Sequence, residues 1–301
     1  MIGADVANDN GKSVSLVLGS GGARGFAHIG VIHWLEENGY RIESVSGCSI
    51  GALIGGAYAA GKLDEYEQWV RSVSRSDIFR LLDLSWGGNG FFKGERLMHA
   101  LKDFVGDRLI EDLPIAYTAV AADVASEKEI WLRTGKLADA IRASISMPMF
   151  FTAFHHNGVD LVDGGVLNPV PVAPTLNDKT DITIAVNLVG PPLQLKAQPE
   201  SGTAEAEDES SILPEGMNRL IGSVKEMISR PIIRDWGIYT VANSALDAMQ
   251  STIARHRLAD YRPDHVIEIA RNACGTLEFD RADEMIKFGY EKARDCLGGK
   301  P

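Results

Sequence analysis

Ser49 is the residue whose setting most resembles that of a nucleophile, because Gly47-Cys48-Ser49-Ile50-Gly51 has the spacing G-x-S-x-G. A serine at this position is reactive when a strand ends before it and a helix begins after it, since that sharp turn exposes Oγ. Apolar and small residues on both sides of the motif favour this arrangement. The helix N-terminus would also offer free N–H groups to a developing oxyanion. The alternative is that Ser49 only caps the helix.

A glycine-rich stretch, Gly19-Ser20-Gly21-Gly22-Ala23-Arg24-Gly25, follows an apolar run and is the second candidate element. A dinucleotide fingerprint requires G-x-G-x-x-G, but the sixth position from Gly19 is Arg24. The other interpretation is an oxyanion loop, in which consecutive glycines let backbone N–H groups converge on one point. Arg24 would then either fix the loop or contact a lipid phosphate.

A serine nucleophile needs a base, and the chain offers histidines and an aspartate. The order serine, acid, histidine would select His256 or His265, yet neither lies in a setting typical of a catalytic base, and His28 and His33 suit a structural role in the first helix. Asp163 ends a short apolar strand and precedes two glycines, a turn that would expose its carboxylate. A carboxylate of ordinary pKa is a weak base, so a Ser–Asp dyad requires direct contact and desolvation.

The elements around these residues predict a parallel sheet that places both turns at one edge. A strand at 13–18 and a helix at 26–38 are followed by a strand at 42–46 and a second helix. Repeated strand–turn–helix units build parallel sheets, and α/β sites form at the carboxyl ends of the strands. Further strands are predicted at 114–124, 127–133, 159–162, 181–189 and 265–270, and further helices at 136–144, 217–229, 235–257 and 280–297.

Composition narrows the class of protein. The chain has 301 residues, 45% apolar, and a formal charge of −11, which argues against nucleic-acid binding. Three cysteines form no metal motif and indicate a reducing compartment. With no signal-peptide pattern and no spanning apolar run, we expect a cytoplasmic protein.

The chain is divided by one acidic segment of low hydrophobicity. We expect a flexible N-terminus at 1–12, a catalytic core at 13–190 and a mobile loop at 191–216. Residues 217–301 would complete the same domain with helices and a strand. The apolar residues at 217–228 favour either a helix packed on the core or a lipid-contacting face.

Four stretches taken together resemble the patatin-like phospholipase family: GSGGARGFAHIGV, GCSIGALIGGAYAAG, DAIRASISMPMFF and LVDGGVLNPVPV. The resemblance covers 13 to about 190 and implies a three-layer α/β/α sandwich with a mainly parallel central sheet. It implies a Ser49–Asp163 dyad that hydrolyses acyl esters through an acyl-enzyme, without a metal or other cofactor. The implied oxyanion hole comprises Gly21, Gly22, Ala23, Arg24 and Gly25, with help from Ile50 at the helix start. Ser20 departs from the glycine that the family often has there.

The sequence therefore predicts a serine hydrolase acting on phospholipids, lysophospholipids or simple acyl esters. Its partners would be lipid substrate and, transiently, a membrane surface, with no nucleic acid. Met147, Met149, Phe150 and Phe151 are candidates for an acyl pocket, or equally for ordinary core. Acyl transfer to an acceptor other than water, and a catalytically silent regulatory protein on the same fold, remain as alternatives.

Overall fold

The chain begins with two strand–turn–helix units, as predicted. The structure, a computed structural model, describes residues 11–72, 95–148, 150–193 and 232–298. Strand β1 (Ser13–Leu18) is buried along its whole length, which is typical of a central parallel strand, and leads into helix α1 (Ala27–Glu37). Strand β2 (Arg41–Cys48) leads through Ser49 into helix α2 (Ile50–Ala59).

The rest of the described chain contributes five helices and six strands. The helices are α3 (Leu63–Ser72), α4 (Glu95–Val105), α5 (Leu137–Ser144), α6 (Ile232–Tyr261) and α7 (Ala282–Leu297). The strands are β3 (Ala116–Asp123), β4 (Lys128–Leu132), β5 (Phe154–His156), β6 (Val159–Asp163), β7 (Ile182–Gly190) and β8 (His265–Ala270). Within the described residues, no helix has a stretch both long and apolar enough to cross a bilayer.

The eight strands of the described residues form one sheet in the order β5-β6-β3-β2-β1-β7-β8, with β4 also paired to β3. The strands β3, β2, β1, β7 and β8 are mutually parallel, whereas β4 and β6 run antiparallel to β3. Leu18 lies opposite Gly47, so the turns that follow β1 and β2 leave from the same edge of the sheet. The expected placement of both turns is confirmed.

Helices cover both faces of this sheet, which confirms the three-layer α/β/α architecture. Alternate residues of β1, such as Leu16, join a core shared by α1, α2, α5 and α7. On the other face, Val17 packs with Val170, Val172 and Ala254 of α6. The layers follow from the alternation of side chains along each strand.

The chain divides into two compact units, residues 1–193 with 250–301 and residues 194–249. The candidate residues belong to the first unit. The acidic segment predicted at 191–216, beyond residue 193, and the helix predicted at 217–229 lie outside the described residues. The helix predicted at 235–257 is confirmed as part of α6.

Candidate active site

Ser49 occupies a strained turn between β2 and α2. Its backbone has φ 56° and ψ −126°, a region that a residue with a side chain rarely adopts. The Ser49 carbonyl accepts the N–H groups of Ala52 and Leu53 at 2.9 and 3.1 Å, so the backbone begins the helix. The side chain makes no capping hydrogen bond. The hydroxyl is therefore available for another partner.

That partner is Asp163, because Ser49 Oγ donates a short hydrogen bond to Asp163 Oδ2. Asp163 ends β6 and lies opposite Ala121 of β3, one position beyond the residue that pairs with Cys48. Its other oxygen, Oδ1, accepts the Gly165 N–H at 2.8 Å and the Cys48 thiol at 3.8 Å. The sheet thus brings the serine and the carboxylate together from positions 114 residues apart.

Burial controls the charge of both groups beside the serine. Only 2% of Asp163 is exposed, and burial raises the pKa of its carboxyl from 3.8 to about 6, although hydrogen bonds from Ser49, Gly165 and Cys48 act in the opposite direction. Burial, followed by the charge of Asp163, raises the pKa of the Cys48 thiol well above its usual value. At neutral pH, Asp163 is an ionised acceptor of raised basicity and Cys48 is a neutral donor.

No histidine is among the hydrogen-bond partners that the described residues supply to the Ser49 hydroxyl or the Asp163 carboxyl. His256 is exposed on α6, and His265 is half-buried at the start of β8. His28 is buried in α1, where Nε2 donates to the Gly19 carbonyl at 2.9 Å. Burial lowers the pKa of His28 to about 4, so it is neutral at pH 7 and holds the glycine-rich turn.

The glycine-rich turn (residues 19–25) is held by backbone hydrogen bonds on two sides. The Ser20 N–H donates to the Pro169 carbonyl at 2.8 Å, and the Ala23 N–H donates to the Thr276 carbonyl at 2.9 Å. Within the described part of the chain, the N–H groups of Gly21 and Gly22 have no recorded acceptor. Among the predicted oxyanion donors, these two amides are free to bind an anion, whereas that of Ala23 is already engaged.

Arg24 anchors this turn rather than reaching towards solvent. Its side chain is 1% exposed, with Nε donating to the Gly21 carbonyl at 2.9 Å and Nη1 to the Arg271 carbonyl at 2.8 Å. The guanidinium therefore ties the turn to the segment that follows β8. This geometry favours the first of its two predicted roles, fixing the loop, over contact with a lipid phosphate.

The turn packs directly against the first residue after the serine. A Cβ added at Gly25 would lie 2.3 Å from Cγ1 of Ile50, so a glycine at this position leaves room for the Ile50 side chain against the turn. Ile50 is buried and is the first residue of α2. The N–H groups in the first turn of a helix have no acceptor within the helix, so they point out of its N-terminal end. The glycine-rich turn and the Ser49 turn are thereby adjacent.

The candidate acyl-pocket residues follow α5. Phe150 is buried, whereas Met147 and Phe151 are partly exposed, and Met149 lies outside the described residues. The Arg142 guanidinium carbon lies 5.5 Å from the centroid of the Phe151 ring. The acyl-pocket role of these residues stays a prediction.

The structure adds residues to which the sequence assigns no role. Ser144 accepts the Ser49 N–H and Ser146 accepts the Asp163 N–H, through Oγ and the carbonyl oxygen respectively. Both belong to the DAIRASISMPMFF stretch, which is one of the four that carry the family resemblance. The resemblance did not predict that these two serines contact the dyad. Across 11–72, 95–148, 150–193 and 232–298, no three His, Cys, Asp or Glu side chains are arranged to hold a metal ion.

Comparisons with known proteins show what the whole chain is similar to. A family model described as patatin-like phospholipase matches residues 16–176. An uncharacterized NTE family protein of Mycobacterium tuberculosis is 37% identical over 97% of this chain and 93% of its own. Patatin-like phospholipase domain-containing protein 6 of Mus musculus is 33% identical over 58% of this chain and 14% of that protein. The crystal structure of VipD from Legionella pneumophila is 15% identical in sequence and superposes with a TM-score of 0.57. The match covers 96% of this chain and 67% of the VipD chain, and it is a likeness of fold alone.

Proposed function

Because the chain belongs to the patatin-like phospholipase family, we propose that it hydrolyses acyl esters of lipids with Ser49 as nucleophile and Asp163 as general base. The observation that carries the proposal is the hydrogen bond from Ser49 Oγ to the buried Asp163 carboxylate. Ser49 lies on a strained strand-to-helix turn, the geometry that is typical of a nucleophilic serine. We propose phospholipids or lysophospholipids as substrates, reached by transient contact of a cytoplasmic protein with a membrane surface.

In the first half-reaction, Asp163 takes the hydroxyl proton while Ser49 Oγ attacks the ester carbonyl carbon. The carbonyl oxygen becomes an oxyanion, and the N–H groups of Gly21, Gly22 and Ile50 are the proposed donors to it. Collapse of the tetrahedral intermediate expels the alcohol, which takes the proton from Asp163. Ser49 is left as an acyl ester.

In the second half-reaction, water replaces the alcohol. Asp163 removes a proton from water as the water oxygen attacks the acyl-enzyme carbonyl. The second tetrahedral intermediate releases the fatty acid and returns the proton to Ser49 Oγ. Asp163 is suited to both steps because burial brings its pKa to about 6, close to the working pH of a general base.

The proposal is tested by mass spectrometry after reaction with a fluorophosphonate, together with hydrolysis of p-nitrophenyl esters and lysophospholipid. We expect an adduct on Ser49 and ester turnover. Ser49→Ala should abolish both, and Asp163→Asn should lower kcat by about 10²- to 10⁴-fold, the usual contribution of a general base. A folded chain that neither labels nor turns over ester in the presence of lipid would support the silent regulatory alternative instead.

A matched histidine variant separates a dyad from a triad. His265→Ala and His256→Ala remove imidazoles that make no recorded hydrogen bond to the dyad, and each should keep most of the activity. Loss of turnover in either variant with the fold intact would contradict the dyad. Adding a glycerol or lysolipid acceptor and analysing the products distinguishes hydrolysis from acyl transfer.

A further inference from the structure

The carboxyl-terminal end of α5 contacts the backbone of both dyad residues. Ser144 Oγ accepts the Ser49 N–H at 2.9 Å, and the Ser146 carbonyl accepts the Asp163 N–H at 3.0 Å. Ser144 and Ser146 are both fully buried. A single short segment therefore sets the main-chain positions of the serine and the aspartate at once.

The orientation of the Ser144 hydroxyl is fixed by a second hydrogen bond. Ser144 Oγ donates to the Val120 carbonyl at 2.7 Å, and Val120 lies opposite Cys48 in the sheet. A hydroxyl has one hydrogen, so this bond leaves Oγ only as an acceptor towards the Ser49 N–H. Ser144 thus connects the strained residue to the central sheet.

The Ser49 N–H needs this acceptor. Ser49 is 5% exposed, and a buried N–H without a partner costs about 1–3 kcal/mol. Together with φ 56°, the missing bond would favour rotation of the turn towards an ordinary backbone conformation, which would move Oγ away from Asp163.

We infer that Ser144 is a positioning residue for the nucleophile: it holds the Ser49 backbone in the conformation that aims Oγ at Asp163. The inference rests on the proposed function. The Ser144 hydroxyl bonds to the Ser49 N–H and the Val120 carbonyl, not to the Ser49 hydroxyl or the Asp163 carboxylate, so it acts through geometry alone. A displacement of about 1 Å at a nucleophile lowers rates by up to about 100-fold.

The test compares Ser144→Ala with Ser46→Ala. Ser46→Ala is a matched control, because it likewise removes a buried serine hydroxyl that donates to a backbone carbonyl, that of Pro171 at 2.8 Å, and Ser46 bonds to neither dyad residue. In Ser144→Ala we expect kcat and the rate of fluorophosphonate labelling to fall together by about 10- to 100-fold, with KM unchanged within about threefold. Ser46→Ala should keep both rates within about threefold.

A pH profile reports whether Ser49 Oγ still donates to Asp163. In Ser144→Ala the acid limb should move to higher pH, because a hydroxyl that has turned away no longer lowers the pKa of the Asp163 carboxyl. A limb that stays in place or moves to lower pH would overturn the inference. It is also overturned if Ser144→Ala keeps its labelling rate, or if Ser46→Ala loses as much as Ser144→Ala. Should Ser144→Ala fail to fold by circular dichroism, the nearly isosteric Ser144→Cys, a weaker acceptor, must show reduced kcat or the inference fails.

Failure of the proposed function has a different signature. If the unchanged chain does not label at Ser49, the hydrolase proposal falls before Ser144 is considered. If the unchanged chain labels and Ser144→Ala labels as fast, the hydrolase proposal stands and only the positioning role is lost.

Discussion

Asp163 must be ionised to accept a proton from Ser49, but its burial favours the neutral form. The hydrogen bonds from Ser49, Gly165 and Cys48 stabilise the carboxylate and keep the pKa at about 6 rather than higher. One of these donors is the N–H group of Gly165, which lies two residues after Asp163 in the turn that follows β6. The environment of this one side chain thus determines the pH range in which the proposed dyad can react.

At the residue scale, we predict that kcat/KM falls as the pH decreases through about 6. Above that pH, Asp163 is ionised and can take the Ser49 proton; below it, the carboxyl is protonated and cannot, so the rate should fall about tenfold per pH unit. A pH–rate profile with a soluble ester measures this limb. The labelling rate with a neutral fluorophosphonate should show the same limb, and a profile that stays flat down to pH 5 would contradict Asp163 as the base.

At the scale of elements, the glycine-rich turn depends on a segment far from it in sequence. Arg24 donates to the Arg271 carbonyl, and the Ala23 N–H donates to the Thr276 carbonyl, so the segment after β8 holds the turn from outside. The proposed oxyanion donors, Gly21 and Gly22, are immediately before these anchors. Their position is therefore set by contacts that span about 250 residues.

We predict that Arg24→Lys lowers kcat by about 10- to 100-fold, because a lysine lacks the planar fork that bonds to two carbonyl groups at once. Hydrogen exchange of the amides at 19–26 should become faster in this variant. Arg41→Lys is the control, since Arg41 is 65% exposed and pairs with Glu43 at the surface. Unchanged kcat and exchange in Arg24→Lys would show that the turn holds its shape without the guanidinium.

Much of the element order could be predicted from the sequence. Strands β1 and β8 have the predicted bounds, because each is rich in β-branched and other apolar residues and is followed by residues typical of turns. Helix α3 is absent from the predicted elements, although Leu63, Tyr66 and Val70 recur at helical spacing and are buried. Strand β5 has three residues, too few for an alternating pattern.

The candidate site could be predicted only in part. The pairing of Ser49 with Asp163 could be predicted from the family resemblance of their motifs. The rule for carboxyl ends of parallel strands does not place Asp163, because β6 runs antiparallel to β3. The role of Ser144 could not be predicted, because a serine in a helix has no local feature that identifies a partner 95 residues away. Burial likewise sets the pKa of Asp163, and it follows from packing rather than from sequence neighbours.

At the scale of the whole molecule, the fold needs residues beyond the stretch that the family model matches. That stretch ends at residue 176, whereas α7 packs on α1 and β8 extends the sheet. Helices α1 and α7 approach so closely that a Cβ added at Gly289 would lie 2.0 Å from the Ala27 carbonyl oxygen. Ala27 is the first residue of α1, directly after the glycine-rich turn.

We predict that Gly289→Ala lowers the free energy of unfolding by about 1–3 kcal/mol, because the added methyl group forces two helix backbones apart. Urea denaturation measures the change. Lys287→Ala, on the exposed side of the same helix, should have little effect. Equal stability of Gly289→Ala and the unchanged chain would mean that α7 shifts without loss of packing.

A glycine at position 49 would accept the left-handed backbone that costs a serine about 1–3 kcal/mol. The folded chain would gain stability, but it would lose the hydroxyl on which the proposed chemistry depends. Selection for abundance or persistence alone would favour that replacement. Under the proposed function, the serine at this turn is maintained by selection for turnover, against the preference of the fold.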